Sequence, residues 1–189
     1  MSGARSILIL YGSQSGNSEE VAIQTGNAAL KHDLQPTVRA MDEISVSDIP
    51  KQTRVLICCS TWGDGEQPDN AEDLWEAANN EDIESLNGLH YSVLALGDSS
   101  YDLFCESGKE WDKWFESKGA TRIHDRVDCD VDFEEPAQIW SDAVLVKMAQ
   151  IEDRDIPIET DAIDESTVVD DEVEEEVAVP VVKEKSVKS

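Results

Sequence analysis

Short, uninterrupted apolar runs alternate along this chain with longer amphipathic stretches, and that alternation restricts the fold more than any other feature. Ser6–Tyr11 (SILILY), Arg54–Ser60 (RVLICCS) and Tyr91–Leu96 (YSVLAL) are apolar on successive residues rather than on every second one. Strands of this kind are buried on both faces. Thr37–Ala40 reads as a shorter strand, and Ala120–Ile123, after the turn at Gly119, as a last short one. Helical patterns fill the intervals at Asn17–His32, Asn70–Asn80, Lys109–Lys118 and Pro136–Met148. Strands separated by helices predict a doubly wound α/β domain with a parallel sheet covered on both faces. In such a fold, ligands bind beyond the carboxyl ends of the strands.

The 189 residues suffice for one domain and a tail. Periodicity stops near Ile151, so residues 1–151 are expected to form the domain and 152–189 an acidic tail or linker. Residues 161–189 are rich in Asp, Glu, Val and Lys and lack aromatics, a composition expected to stay disordered. Net charge is −27. Residues 1–151 hold 28 acidic against 11 basic side chains, so the domain is acidic without the tail's 14 against 4. Such a field repels nucleic acid and anionic membrane and favours a basic protein partner, although solubility alone also accounts for it.

No apolar run approaches the ~20 residues that span a bilayer. Ile7–Tyr11 is too short for the core of a secretory signal, and nothing marks export, so the expected location is cytoplasmic. Cys58, Cys59, Cys105 and Cys129 form no C-x-x-C pair, and no histidine stands at metal-ligand spacing beside them. They read as reduced thiols, with no metal site expected.

Three informative segments each begin where a strand ends. The first is Gly12-Ser13-Gln14-Ser15-Gly16-Asn17-Ser18. Its small residues let backbone N–H groups converge on an anion at a helix N-terminus, and its serines add hydroxyl donors. It lacks the lysine of a Walker A loop, and Gln14 stands where a nucleophile elbow needs serine. A nucleotide monophosphate held by neutral donors matches it; the alternative is a helix-capping turn that binds nothing. The second segment runs Ser60-Thr61-Trp62-Gly63-Asp64-Gly65-Glu66-Gln67-Pro68-Asp69-Asn70. The third runs Leu96-Gly97-Asp98-Ser99-Ser100-Tyr101-Asp102-Leu103-Phe104-Cys105. In a doubly wound sheet both rise beside the first, and Trp62 and Tyr101 can sandwich a flat ring. Either aromatic taken alone reads more readily as packing.

The strings GSQSGNS, STWGDGEQPDNA and LGDSSYDLFCESGKEWDKWFESKGATRIHDRVDCDVDFEE resemble the FMN module of the diflavin reductases. That family includes cytochrome P450 reductase, the flavoprotein subunit of sulfite reductase and the reductase modules of nitric oxide synthase. The resemblance covers residues 5–150 and implies a flavodoxin-like five-stranded parallel sheet in the order 2-1-3-4-5, with FMN as cofactor. It implies that Ser13 to Ser18 hold the phosphate, that Ser60 to Gly63 line one ring face and that Leu96 to Cys105 line the other, with Tyr101 stacked on the flavin. The backbone at Gly63 would turn its carbonyl toward the ring's N5. FAD and pyridine-nucleotide modules have no counterpart here, so NADPH oxidation by this chain alone is not implied.

The expected function is therefore single-electron relay between a reductase and a basic haem or iron–sulfur acceptor protein, with no substrate chemistry and no catalytic residues of its own. Alternatives are the FMN-binding piece of a split NADPH-dependent reductase, or a scaffold that has lost its flavin. Asp128-Cys129-Asp130-Val131-Asp132 starts like a calcium loop but lacks the glycine at its sixth position and the glutamate at its twelfth, where Ile139 stands. It reads as an acidic flavin-edge or partner-facing loop, or as a plain solvated turn. Trp75, Trp111, Trp114, Phe115 and Trp140 read as packing residues, and His32, His90 and His124 have no nucleophile or ligand set around them.

Overall fold

The structure is a computed structural model that describes residues 5–156. The acidic tail expected beyond the domain lies, from residue 157 on, outside the described residues. In chain order the elements are β1 (Arg5–Gly12), α1 (Asn17–Ala29), β2 (Leu34–Ala40), β3 (Arg54–Ser60), α2 (Asp69–Asn80), β4 (His90–Leu96), α3 (Glu106–Ser117), β5 (Thr121–Arg122), β6 (Val127–Cys129) and α4 (Glu134–Met148). The sheet is parallel throughout, ordered β2-β1-β3-β4-β5, as the flavodoxin-like reading requires.

The fifth position is divided between two short strands. Thr121–Arg122 pairs with His90–Tyr91 at the start of β4, and Val127–Cys129 pairs with Leu94–Leu96 at its end. The single strand Ala120–Ile123 is thus half of what fills this position. Between the halves the chain bends out, and Arg122 and Arg126 both clasp Asp112 of α3, at 2.7 and 2.6 Å. Asp112 is buried and also accepts from the Tyr91 hydroxyl at 3.1 Å. One carboxylate facing two guanidinium groups explains why a charged carboxylate tolerates burial here.

Alternation along each strand builds two cores. Leu8, Leu10, Val55, Ile57 and Cys59 face α2 and α3, whereas Ile7, Ile9, Leu56 and Cys58 face α1 and α4. β3 lies at the centre and is buried from Arg54 to Cys59, which is why its sequence is apolar without interruption from Val55 to Cys59. Each such side chain contributes about 1.5–3 kcal/mol.

Helix ends differ from the sequence reading where one residue carries two meanings. α3 starts at Glu106 rather than Lys109, because Gly108 is in the helix to let it approach β4 closely: a Cβ there would lie 2.3 Å from that of Ala95. α4 starts at Glu134, and Pro136 occupies its first turn, where a missing N–H costs nothing. α1 ends at Ala29 and tightens into a 3-10 turn over Leu30–His32.

Candidate functional site

At the carboxyl ends of β1, β3 and β4 the three loops meet around a cleft of about 490 Å³, within the usual range for cofactor sites.

The first loop is shaped by its own hydroxyls and by α2. Gly16 N donates to Ser13 Oγ at 2.9 Å, and Ser13 N donates to Asn70 Oδ1 at 2.8 Å. The Gln14 amide donates to Asp69 and accepts from the Asp69 backbone N–H, both at 3.0 Å. Gln14 thus spends its side chain on the loop's position and has only its backbone N–H left for a ligand. Gly16 has φ +93°, a conformation that costs a residue with a Cβ, and it turns the chain into α1. Among the described residues, the N–H groups of Ser15, Asn17 and Ser18 meet no acceptor from the protein. The Ser18 hydroxyl is fully buried and also without a partner. Orphaned donors converging at a helix N-terminus are what an oxyanion requires.

The second loop is a tight turn. Trp62 N and Glu66 N each donate to the other residue's carbonyl at 2.8 Å, and Thr61 N donates to Leu96 O at 3.0 Å. Gly65 at φ +111° packs so closely on Leu103 that a Cβ would lie 2.6 Å from Leu103 Cδ1. Trp62, 50% exposed, stands on the cleft wall.

The third loop carries Tyr101, 56% exposed, on the same cleft. Ser100 N donates to Asp98 Oδ1 at 2.9 Å and Tyr101 N to Asp98 O at 3.1 Å, so Asp98 sets the turn. Cys105 closes the loop beneath the cleft; burial pushes its thiol up to about 12, and Cys129 beside it up to about 11. Neither is reactive at neutral pH.

Of the expected ligand-binding residues, Gln14, Ser15, Asn17, Ser60, Thr61, Trp62, Gly63, Leu96, Gly97, Asp98, Tyr101, Leu103 and Cys105 line the cleft. Ser13, Gly16 and Ser18 shape the first loop, while Ser99, Ser100, Asp102 and Phe104 belong to the third loop without lining the cleft. Sequence reasoning put Asp130 and Val131 in a candidate flavin-edge loop but not among the ligand-binding residues, and did not place Phe133; the three form a fourth wall after β6. The signal was available. They follow a strand end like the other three loops, but that strand was read as acidic loop. Among the described residues no cluster of acids, cysteines and histidines could hold a metal, and no helix is long and apolar enough to cross a membrane.

A family model, Flavodoxin, matches residues 9–140. The chain belongs to the flavodoxin family. Sulfite reductase [NADPH] flavoprotein alpha-components are among its relatives: that of Bacillus subtilis (strain 168) is 43% identical over 142 residues, or 75% of this chain and 24% of the relative. That of Aliivibrio fischeri is 40% identical over 152 residues, 78% of this chain and again 24% of the relative. The chain therefore spans about a quarter of the length of these curated relatives. Solved flavodoxins are matched nearly whole. The Streptococcus pneumonia TIGR4 flavodoxin superposes with a TM-score of 0.64 at 29% identity, covering 77% of this chain and 96% of that one. Bacillus cereus flavodoxin 2 gives 0.63 at 27%, covering 76% and 97%. Membership of this family implies a flavin cofactor, and the residues present fit one: a cradle of orphaned donors adjoins a cleft flanked by two half-exposed aromatic rings.

Proposed function

We propose that this domain binds FMN and carries single electrons between proteins, without substrate chemistry of its own. The observation that carries this reading is the pairing of the Ser15, Asn17 and Ser18 donors, which have no protein acceptor, with the cleft between Trp62 and Tyr101. A phosphate monoester uses the donors, and a flat ring uses the aromatics. Ser13 and Asn70 hold the loop in shape, so that its N–H groups point at one anion before the ligand arrives. Trp62 and Tyr101 cover the ring's faces and leave an edge at the cleft mouth. Once bound, the flavin supplies the one-electron chemistry, and the protein's part is orientation and electrostatics. Asp64, Asp102 and Asp132 are exposed on the surrounding loops and supply the negative rim that would draw in a basic partner.

FMN at one per chain, preferred over riboflavin, tests the reading, because only the phosphate uses the first loop's donors. Equal affinity for the two flavins would overturn it.

The identity to sulfite reductase flavoproteins supports a second, narrower reading: the domain serves as the FMN-binding part of an NADPH-dependent reductase whose other cofactors sit elsewhere. Mixing the protein with candidate reductases and following NADPH-dependent reduction of its flavin separates this from a free-standing carrier. The four cysteines are free and buried, which supports work in a reducing, cytoplasmic setting.

A further inference from the structure

Ser107 lies in the first turn of α3, is fully buried, and lines no part of the cleft. Nevertheless it holds both ends of the turn that carries Trp62. Its backbone N–H, one of the donors a helix start leaves over, reaches Thr61 Oγ1 at 3.0 Å. Its hydroxyl donates to Glu66 O at 2.7 Å, the carbonyl that also accepts from Trp62 N at 2.8 Å. The two lone pairs of that carbonyl are thereby used, one closing the turn and one fastening it to α3. Beyond the turn, Gln67 is tied to the same helix: its amide donates to Glu110 at 2.8 Å and its carbonyl accepts from Trp111 Nε1 at 3.1 Å.

What remains unfastened is the pair Gly63 and Asp64, whose N–H groups have no acceptor among the described residues. The other side of the cleft is fastened to the same place. Leu103, which Gly65 touches, is three residues before the start of α3, and Glu106 N donates to Leu103 O at 3.3 Å. The second and third walls thus share one support, and Ser107 is the residue through which the Trp62 wall reaches it.

We infer that Ser107 is a positioning residue that sets the spacing between the Trp62 and Tyr101 walls, and through that spacing both the grip on the flavin ring and the protein's influence on the ring's redox potentials. The inference rests on the flavin-binding reading above. A wall held at both feet keeps one distance from the ring whatever the ring's oxidation state, so its contacts favour one state over another; a wall free to follow the ring favours none. Losing the hydroxyl frees one foot and leaves Glu66 O with a single donor.

The test uses the full chain and compares the parent with Ser107→Ala for FMN and riboflavin affinity, for thermal melting and for midpoint potentials. With Ser107→Ala we expect both flavins to bind about five- to tenfold more weakly, the loss of one buried hydrogen bond. The ratio of FMN to riboflavin affinity should not change, because the phosphate loop is untouched. The midpoint potentials should move toward those of free FMN, which a purely stabilising role would not produce. A folded Ser107→Ala protein with the parent's affinities and potentials overturns the inference, as does a loss confined to FMN. If Ser107→Ala does not fold, Thr61→Val, isosteric at the other end of one bond, must give the same ring-directed loss, and parental values there overturn the inference. A parent chain that binds no flavin at all rejects the functional reading instead.

Discussion

Asp130 accepts two hydrogen bonds from Ser99, one from its backbone N–H at 3.0 Å and one from its hydroxyl. The first residue lies after β6 and the second after β4, so the carboxylate joins the fourth wall of the cleft to the loop that carries Tyr101. The backbone reinforces the join, since Gly97 N donates to Cys129 O at 2.9 Å. Neighbouring acids differ in their roles. Asp128 is paired with Arg126 at 2.7 Å, whereas Asp132 is exposed and bonded to nothing among the described residues.

The Ser99 and Val131 donors hold the Asp130 carboxyl below its ordinary value of 3.8, with the Ser99 hydroxyl the largest cause. A depressed value means that the tie is complete above the ordinary carboxylate pKa and is lost as pH falls through the lowered one. Flavin affinity should therefore be flat from neutral pH to about pH 4 and weaken below it. Asp130→Asn at pH 7 should already show the weakened affinity, without the acid-dependent step. Fluorescence of released flavin across a pH series measures both, and parental affinity in the variant would remove Asp130 from this role.

Tyr101 is half-exposed on a loop whose shape depends on Asp98, and its ring contributes little to the cores. Tyr101→Ala should cost about 1 kcal/mol or more of ring stacking, a fall of about fivefold or more in FMN affinity, with melting of the flavin-free protein unchanged. Undiminished affinity would show that Tyr101 packs against protein rather than flavin.

The central strands were legible because a doubly buried strand has a composition that few other elements share, as Arg54–Ser60 illustrates. The three loops were legible for a related reason: small residues and one aromatic after each such strand have few structural uses. β6 escaped because its three residues, Val127, Asp128 and Cys129, are too few to give a periodic signal, and its pairing with Leu94–Leu96 is visible only in three dimensions. The 3-10 turns over Met41–Glu43 and Val46–Lys51 escaped for the same reason, although Met41, Val46 and Ile49 belong to the core. Gln14 shows the limit at the site itself. Its place in the motif was readable, but the exchange of bonds with Asp69 that commits its side chain was not.

At the opposite pole of the sheet, three arginines fasten the chain after α4. Arg54, fully buried, donates from Nε to Met148 O at 3.0 Å, from Nη1 to Asp153 at 2.5 Å and from Nη2 to Ile151 O. Arg5 reaches Ala149 O and Glu152, and Arg154 reaches Asn87 O and Pro50 O. Truncation after Ile156 should leave melting and flavin affinity at parental values. Truncation after Gln150 removes Ile151 and Asp153 and leaves a buried guanidinium short of partners, at a cost of about 3 kcal/mol or more. Equal melting temperatures for the two truncations would show that this strap contributes nothing.

The acidic rim makes a prediction about partner encounter, and the different states of its members sharpen it. Electron transfer to a basic haem protein should slow as salt rises, because exposed charges act over a Debye length of about 8 Å at physiological ionic strength. Asp64, Asp102 and Asp132 are exposed and accept no hydrogen bond among the described residues, so neutralising them should slow transfer at low salt and leave flavin affinity unchanged. Asp128 and Asp130 should behave otherwise. Neutralising Asp130 loosens the Tyr101 loop and so acts on the cleft as well as on the partner, and neutralising Asp128 removes one of the two carboxylates that hold Arg126. The measurement is the second-order rate from photoreduced protein across a salt series, with flavin content checked for each variant. A rate indifferent to salt, or one that Asp64→Asn, Asp102→Asn and Asp132→Asn together leave unchanged, would place the encounter surface elsewhere on the domain.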